Sequence, residues 1–120
     1  MGARHAACLR ASPHATLAGV WSRTVEHAAV LAADNAAQVY PTLHEMVRDP
    51  DLDAVIVATP TGHHAEAALA AIRAGKHAIV EKPLAHSMAD ADMLLREAER
   101  AGVLLLTGHV VRFFPVFRTL

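Results

Sequence analysis

The sequence predicts an α/β domain in which parallel strands are wound with helices on both faces. Three observations carry this. Short apolar runs alternate with longer segments of helical periodicity. The turns between them are brief and marked by Gly or Pro. The run Leu52-Asp-Ala-Val-Ile-Val-Ala58 is a β-branched stretch of the kind found in central strands buried on both faces.

The elements follow in order. Residues 1–10 have helical composition from the start. Residues 15–22 read as a strand, and an alanine-rich helix over 25–34 follows, with Thr24 as candidate N-cap. Val39-Tyr40 is a stub of strand. Thr42-Leu-His-Glu45 is a capping-box pattern opening a short helix that must stop before Pro50. After the strand 52–58 the chain turns at Thr59-Pro60-Thr61-Gly62. Ala65, Ala68, Leu69 and Ile72 then recur at helical spacing, predicting a helix over 63–74 with Gly75 at C′. Strand 77–80 runs straight into Glu81-Lys82-Pro83. A helix over 88–100, capped by Ser87, is expected to bury Ala91, Leu94, Leu95 and Ala98. Gly102 ends it, and Val103–Leu106 is a last strand leading to Thr107-Gly108-His109.

Composition narrows the function classes. The 120 residues are 53% hydrophobic and 4% aromatic, so one small core is built mostly from Ala, Val and Leu. A net charge of −1 provides no electrostatic footprint for nucleic acid or for an anionic membrane. The apolar runs are far too short to cross a bilayer, and the N-terminus lacks an apolar leader segment. The single Cys8 rules out an intrachain disulfide framework and fits a reducing, cytoplasmic location. Nine histidines invite a metal hypothesis, but none form a His-x-x-x-His pair on one predicted helix, and no metal site is expected.

Chemistry is expected at the carboxyl ends of the strands, where open α/β sheets bind ligands. Glu81-Lys82-Pro83 stands there, a charged pair fixed by a proline that is a candidate for the cis form. The competing reading is a strand that leaves through a solvated turn. At the other end, Gly2 stands immediately before the first helix. It can be the third glycine of a Gly-x-Gly-x-x-Gly turn, whose helix N-terminus binds a pyrophosphate. The residue that reads the adenosine ribose should lie about 20 positions further on. Ser22-Arg23 sits at that distance. An acidic residue there would bond the 2′-hydroxyl of NAD, whereas Ser-Arg can accept a 2′-phosphate, which favours NADP over NAD. The same residues can also cap the next helix.

Four stretches together resemble a known family: residues 1–6, 55–65, 74–85 and 108–113. The chain is similar to the N-terminal, Rossmann-like NAD(P)-binding domain of the Gfo/Idh/MocA (glucose–fructose oxidoreductase / inositol dehydrogenase) family. The resemblance covers essentially the whole chain, in family order. It implies hydride transfer between a nicotinamide and a sugar, polyol or related carbinol or carbonyl substrate. Lys82 is then the catalytic candidate, reaching the nicotinamide ribose and the reacting oxygen, with Glu81 and Pro83 beside the cofactor. Thr59-Pro60 matches the turn that packs along the cofactor. His64 matches a histidine that is either cofactor-proximal or a polar cap. Gly108-His109 and Arg112 match a segment entering the domain junction, although Phe114 stands where a polar residue is usual.

The resemblance also implies residues 1–107 as a partial dinucleotide-binding domain and 108–120 as the start of a linker. In the family a C-terminal α/β domain follows, carrying the general base, the substrate pocket and the interface of a homo-oligomer. That domain and the first strand of the sheet are expected to be lacking, so the chain reads as a fragment. An unfilled slot between two strands is the structural expectation. Poor dinucleotide binding and no turnover are the functional ones. The alternative is a non-enzymatic Rossmann-like module that accepts a strand from a partner. An exposed Trp21 and the segment Phe113-Phe114-Pro115-Val116-Phe117 would supply its apolar contacts.

Overall fold

The computed structural model describes residues 1–114. The expectation placed on Pro115–Phe117 lies outside the described residues. Five helices and five strands are laid down in order. They are α1 (Gly2–Ala11), β1 (Gly19–Val20), α2 (Val25–Ala33), β2 (Gln38–Val39), α3 (Leu43–Arg48), β3 (Ala54–Val57), α4 (His64–Arg73), β4 (His77–Val80), α5 (Met88–Ala101) and β5 (Leu105–Thr107). Short 3-10 turns occupy Thr61–His63, before α4, and Val110–Phe113, after β5.

Local chemistry explains where the helices begin and end. In α3, Thr42 Oγ1 accepts the Glu45 N–H at 3.1 Å and donates to Glu45 Oε1 at 2.9 Å. In α5, Ser87 Oγ accepts the Asp90 N–H and donates to Asp90 Oδ2. These bonds satisfy N–H groups that a helix start otherwise leaves unpaired. Gly102 closes α5 at φ 67°, and Gly75 follows α4 at φ 76°, both in the left-handed region that glycine enters without a Cβ clash. Thr24 occupies the N-cap of α2 as expected, but its side chain makes no capping bond. Instead Ser22 Oγ accepts the Thr24 N–H at 3.2 Å.

All strand pairs are parallel, and they form two separate sheets, β1-β2 and β3-β4-β5. No backbone ladder joins β1 to β3 among the described residues, which is the open slot expected from the sequence. The strand expected over 15–22 shrinks to Gly19–Val20, because only β2 lies beside it to pair. Gly19 is required there. A Cβ at this position would run into the Tyr40 ring, which lies across it.

The core gathers on one face of the larger sheet. Val55, Val57, Ala78 and Val80 point into it and meet Ala68, Ala71 and Ile72 of α4 and Leu94 and Ala98 of α5. The small residues let α4 and α5 approach the strands closely. The opposite face departs from expectation. Ile56, Ile79 and Leu106 share one register row, yet Ile56 and Ile79 are half-buried and Leu106 is exposed. β3 is therefore not buried on both faces among the described residues. Leu95, expected in the stripe of α5, is 54% exposed, because the helix turns Leu94 and Ala98 inward instead. Trp21, expected to be exposed, packs half-buried against the core.

Candidate functional site

The carboxyl ends of β3, β4 and β5 are tied level with one another. The Glu81 N–H donates to the Val57 carbonyl at 2.9 Å, and the Gly108 N–H donates to the Val80 carbonyl at 2.7 Å. This brings Thr59, the Glu81–Pro83 loop and Gly108 to one edge of the sheet. The placement is the one in which open α/β sheets present groups to ligands.

Glu81 is the centre of this edge. It is 6% exposed, and its Oε1 lies 2.7 Å from Nε2 of His5, on the first turns of α1. Its Oε2 accepts the Lys82 N–H at 3.2 Å. The His5 hydrogen bond, more than any other influence, holds the Glu81 carboxyl below the usual glutamate range. Burial opposes this, while the Lys82 N–H and the charges of His5 and Lys82 reinforce it. Gly108 packs against the carboxylate, and a Cβ there would stand 3.5 Å from Oε2.

Lys82 itself is exposed, and its side chain hydrogen-bonds no described residue. The peptide bond to Pro83 is cis. The Pro83 carbonyl is held by His64, whose Nδ1 lies 2.7 Å away, while His64 Nε2 lies 2.9 Å from the Thr59 carbonyl. The ring is 2% exposed. Carbonyl oxygens only accept, so both contacts are hydrogen bonds when the ring carries two protons, and a neutral ring satisfies one of them. The polar-cap reading of His64 fails, since α4 begins at His64 and the N-cap position is His63. Both ring nitrogens face backbone carbonyls, so His64 sits between the Thr59 and Pro83 loops.

A second cluster lies where β1 ends. A cleft of about 270 Å³ is lined by Trp21, Arg23, Leu43, Thr59, His63 and Glu66, among others. Arg23 donates from Nη1 to Nε2 of His63 at 2.9 Å. A guanidinium has no acceptor, so this nitrogen of His63 must accept. The other, Nδ1, faces Glu66 at 3.5 Å. Thr59 carries a buried hydroxyl with no hydrogen-bond partner among the described residues, an arrangement that is rare without a ligand or water to complete it. Pro60 is exposed beside it.

The remaining expected residues sit further out. Gly2 opens α1, and a Cβ there would meet only Leu31 at an ordinary 3.8 Å, so nothing described demands glycine. His109 and Arg112 are exposed at the 3-10 turn after β5, and neither side chain hydrogen-bonds a described residue. Sequence reasoning missed His5 and His63. The only signal for His5 was its place one turn after Gly2, on the helix start that faces the strand ends. Among the described residues no cluster of three or more His, Cys, Asp or Glu could hold a metal ion, and no helix is long and apolar enough to cross a membrane.

Known proteins share this fold. A family model described as an oxidoreductase family with an NAD-binding Rossmann fold matches residues 1–109. A 4-carboxy-2-hydroxymuconate-6-semialdehyde dehydrogenase from Sphingobium is 40% identical over 115 residues, covering 95% of this chain and 36% of the dehydrogenase. The crystal structure of GenD2 from gentamicin A biosynthesis, in complex with NAD, superimposes with a TM-score of 0.95 at 36% identity, over 99% of this chain and 34% of GenD2. KijD10, a 3-ketoreductase from Actinomadura kijaniata in complex with NADP and TDP-benzene, superimposes with a TM-score of 0.90 at 29% identity, over 95% of this chain and 35% of that protein. The chain thus spans about a third of the length of these relatives. Parallel strands ending in Thr59-Pro60 and Glu81-Lys82-Pro83, together with this match, make the chain a member of the Gfo/Idh/MocA family of oxidoreductases, corresponding to its NAD(P)-binding Rossmann domain.

Proposed function

We propose that this chain forms the dinucleotide side of an NAD(P)-dependent oxidoreductase acting on the carbinol or carbonyl carbon of a small sugar-like or polyol substrate. The observation that carries the proposal is the pair of clusters along one sheet edge. The Arg23–His63 cleft suits an adenosine end, and the Glu81-Lys82-Pro83 loop suits a nicotinamide end. The unpartnered Thr59 hydroxyl lies between them, as expected of a group completed by a ligand.

When bound, a nicotinamide supplies the hydride chemistry. The residues of this chain bind, orient and polarise. The first N–H groups of α1, behind Gly2, present the positive helix end to a pyrophosphate. Ser22 and Arg23 stand where the adenosine ribose is read, with no carboxylate at either position, which favours NADP over NAD. Thr59 and Pro60 pack along the cofactor, and His64 serves it by holding Thr59 in place. Lys82, exposed at the strand end, presents its ammonium to the reacting oxygen, and the hydrogen bond it donates stabilises alkoxide character there. Glu81 and Pro83 hold its backbone. His109 and Arg112 border the site from the β5 side. The open slot between β1 and β3 leaves the two ends of the site unjoined by backbone hydrogen bonds, so the affinity of these residues by themselves is expected to be weak.

The test is a titration of the labelled chain with NADP and NAD followed by amide chemical shifts, which registers weak binding. Perturbations at residues 2–6, 22–23, 59–64 and 81–83, larger with NADP, are expected. No saturable shift, or shifts confined to other surfaces, overturns the assignment.

A second reading, an interaction module, is favoured by one observation. The β5 side carries exposed Leu104, Leu106, Val110, Val111, Phe113 and Phe114, and β5 is itself an unpaired edge of the three-stranded sheet among the described residues. Self-association on size-exclusion chromatography, without dinucleotide binding, supports that reading.

A further inference from the structure

We propose that His5 and His64 are positioning residues for Lys82, bracing the residues on either side of it from two different helices. The proposal rests on the role assigned to Lys82 above. His5, on α1, holds the Glu81 carboxylate at 2.7 Å, and that carboxylate in turn accepts the Lys82 N–H at 3.2 Å. His64, at the start of α4, lies 2.7 Å from the Pro83 carbonyl and 2.9 Å from the Thr59 carbonyl, donating to both when the ring carries two protons and to one of them when neutral. The backbone on both sides of Lys82 is thus anchored, while the lysine side chain stays exposed and unengaged among the described residues.

The economy of this arrangement points to positioning rather than to packing. His64 is a buried polar ring, costly unless its partners are in place, where an apolar side chain would fill the same volume, while His5 is half-buried and stands on its contact with the buried Glu81. Each ring here spends its hydrogen bonds on loop atoms at residues 59, 81 and 83, and none on the hydrophobic core. A group held in one backbone position loses less on reaching its working geometry. His5 also joins the first turns of α1, where a pyrophosphate is proposed to bind, to the loop that carries the lysine.

The experiment compares amide hydrogen exchange in the whole chain and in three variants, His5→Ala, His5→Gln and His64→Gln. A glutamine amide nitrogen occupies roughly the place of Nε2 and can still donate to Glu81. Exchange at Lys82 is expected to rise about tenfold in His5→Ala beyond any change at the core amides of Ile72 and Leu94. His5→Gln should restore most of the protection, and His64→Gln should also loosen Lys82 selectively. Exchange at Lys82 that is unchanged, or that rises only in step with Ile72 and Leu94, overturns the proposal and leaves the histidines as general structural groups. A parallel titration separates this from the function assignment. In His5→Ala the NADP-induced shift at Lys82 should be lost while the shift at Arg23 persists. If NADP shifts no resonance of the unaltered chain, the assigned function fails, and the exchange comparison still decides the brace.

Discussion

His5 Nε2 lies 2.7 Å from Glu81 Oε1, joining the start of the first helix to the end of the fourth strand. The bond holds the Glu81 carboxyl below the usual glutamate range, so the unfolded chain takes up a proton before the folded one. The stabilisation is complete above the ordinary glutamate range and is lost as pH falls through the lowered folded value. Glu81→Gln should therefore cost about 1–3 kcal/mol near neutral pH. That gap should close on acidification, in urea melts run at a series of pH values. A gap independent of pH would show that the carboxylate charge plays no part.

Tyr40 lies across Gly19 and donates its phenolic hydrogen to Asp49 Oδ2. That bond, with burial and the charges of Asp49 and Asp51, pushes the phenol up from 10.0 to about 12. As the only tyrosine in the chain, it should be read cleanly by ultraviolet absorbance titration. Ionisation is expected near pH 12, with the bond's contribution to stability intact below pH 10.0 and lost between those two values. Asp49→Asn should move the titration back toward the ordinary range.

Gly19→Ala tests the same contact by volume. A methyl there collides with ring carbons of Tyr40, and β1 cannot move far without losing its pairing with β2. A loss of about 1–3 kcal/mol in thermal or urea unfolding is expected. An unchanged melting point would mean that the ring has room to move aside.

Arg23→Asp should exchange cofactor preference. The guanidinium that suits a 2′-phosphate is replaced by a carboxylate that suits the free 2′-hydroxyl of NAD. One charged hydrogen bond gained and one lost is worth roughly tenfold in each affinity. Trp21, the only tryptophan, lines the same cleft, so quenching of its fluorescence reads both titrations. Equal response to NAD and NADP before and after the change would remove Arg23 from the site.

Lys82→Met should leave stability within about 0.5 kcal/mol, because the side chain is exposed and bonds no described residue. A large loss in a thermal melt would instead make Lys82 a structural group. A neutral melt is what a residue that carries no fold-holding contact shows.

Much of the fold was legible because it rests on local rules. The capping box at Thr42–Glu45, Ser87 before α5 and the glycines at 75 and 102 all behave as their sequence positions require. Strand 77–80 appears with the expected bounds, since an apolar run between a glycine turn and a proline leaves few options. The misreadings share a cause. The 15–22 strand, the two-sided burial of β3, and the exposures of Leu95 and Trp21 each depend on what lies alongside, which no local pattern encodes.

The site divides in the same way. The sequence by itself determined that Glu81, Lys82 and Pro83 stand at a strand end, where a sheet presents groups for binding, and that Ser22 and Arg23 follow an earlier strand. Periodicity and turn chemistry act over a few residues, and they suffice for the Glu81–Pro83 strand end, while β1 closes at Val20, two residues short of Ser22. Only the tertiary structure decided that Glu81 is gripped by His5, 76 positions away in the chain, and that His64 ties Thr59 to Pro83. It also decided that Arg23 meets His63 in one cleft. Such pairings depend on how parallel strands and helices are brought side by side, and partners so distant in sequence leave no periodic signal of their own.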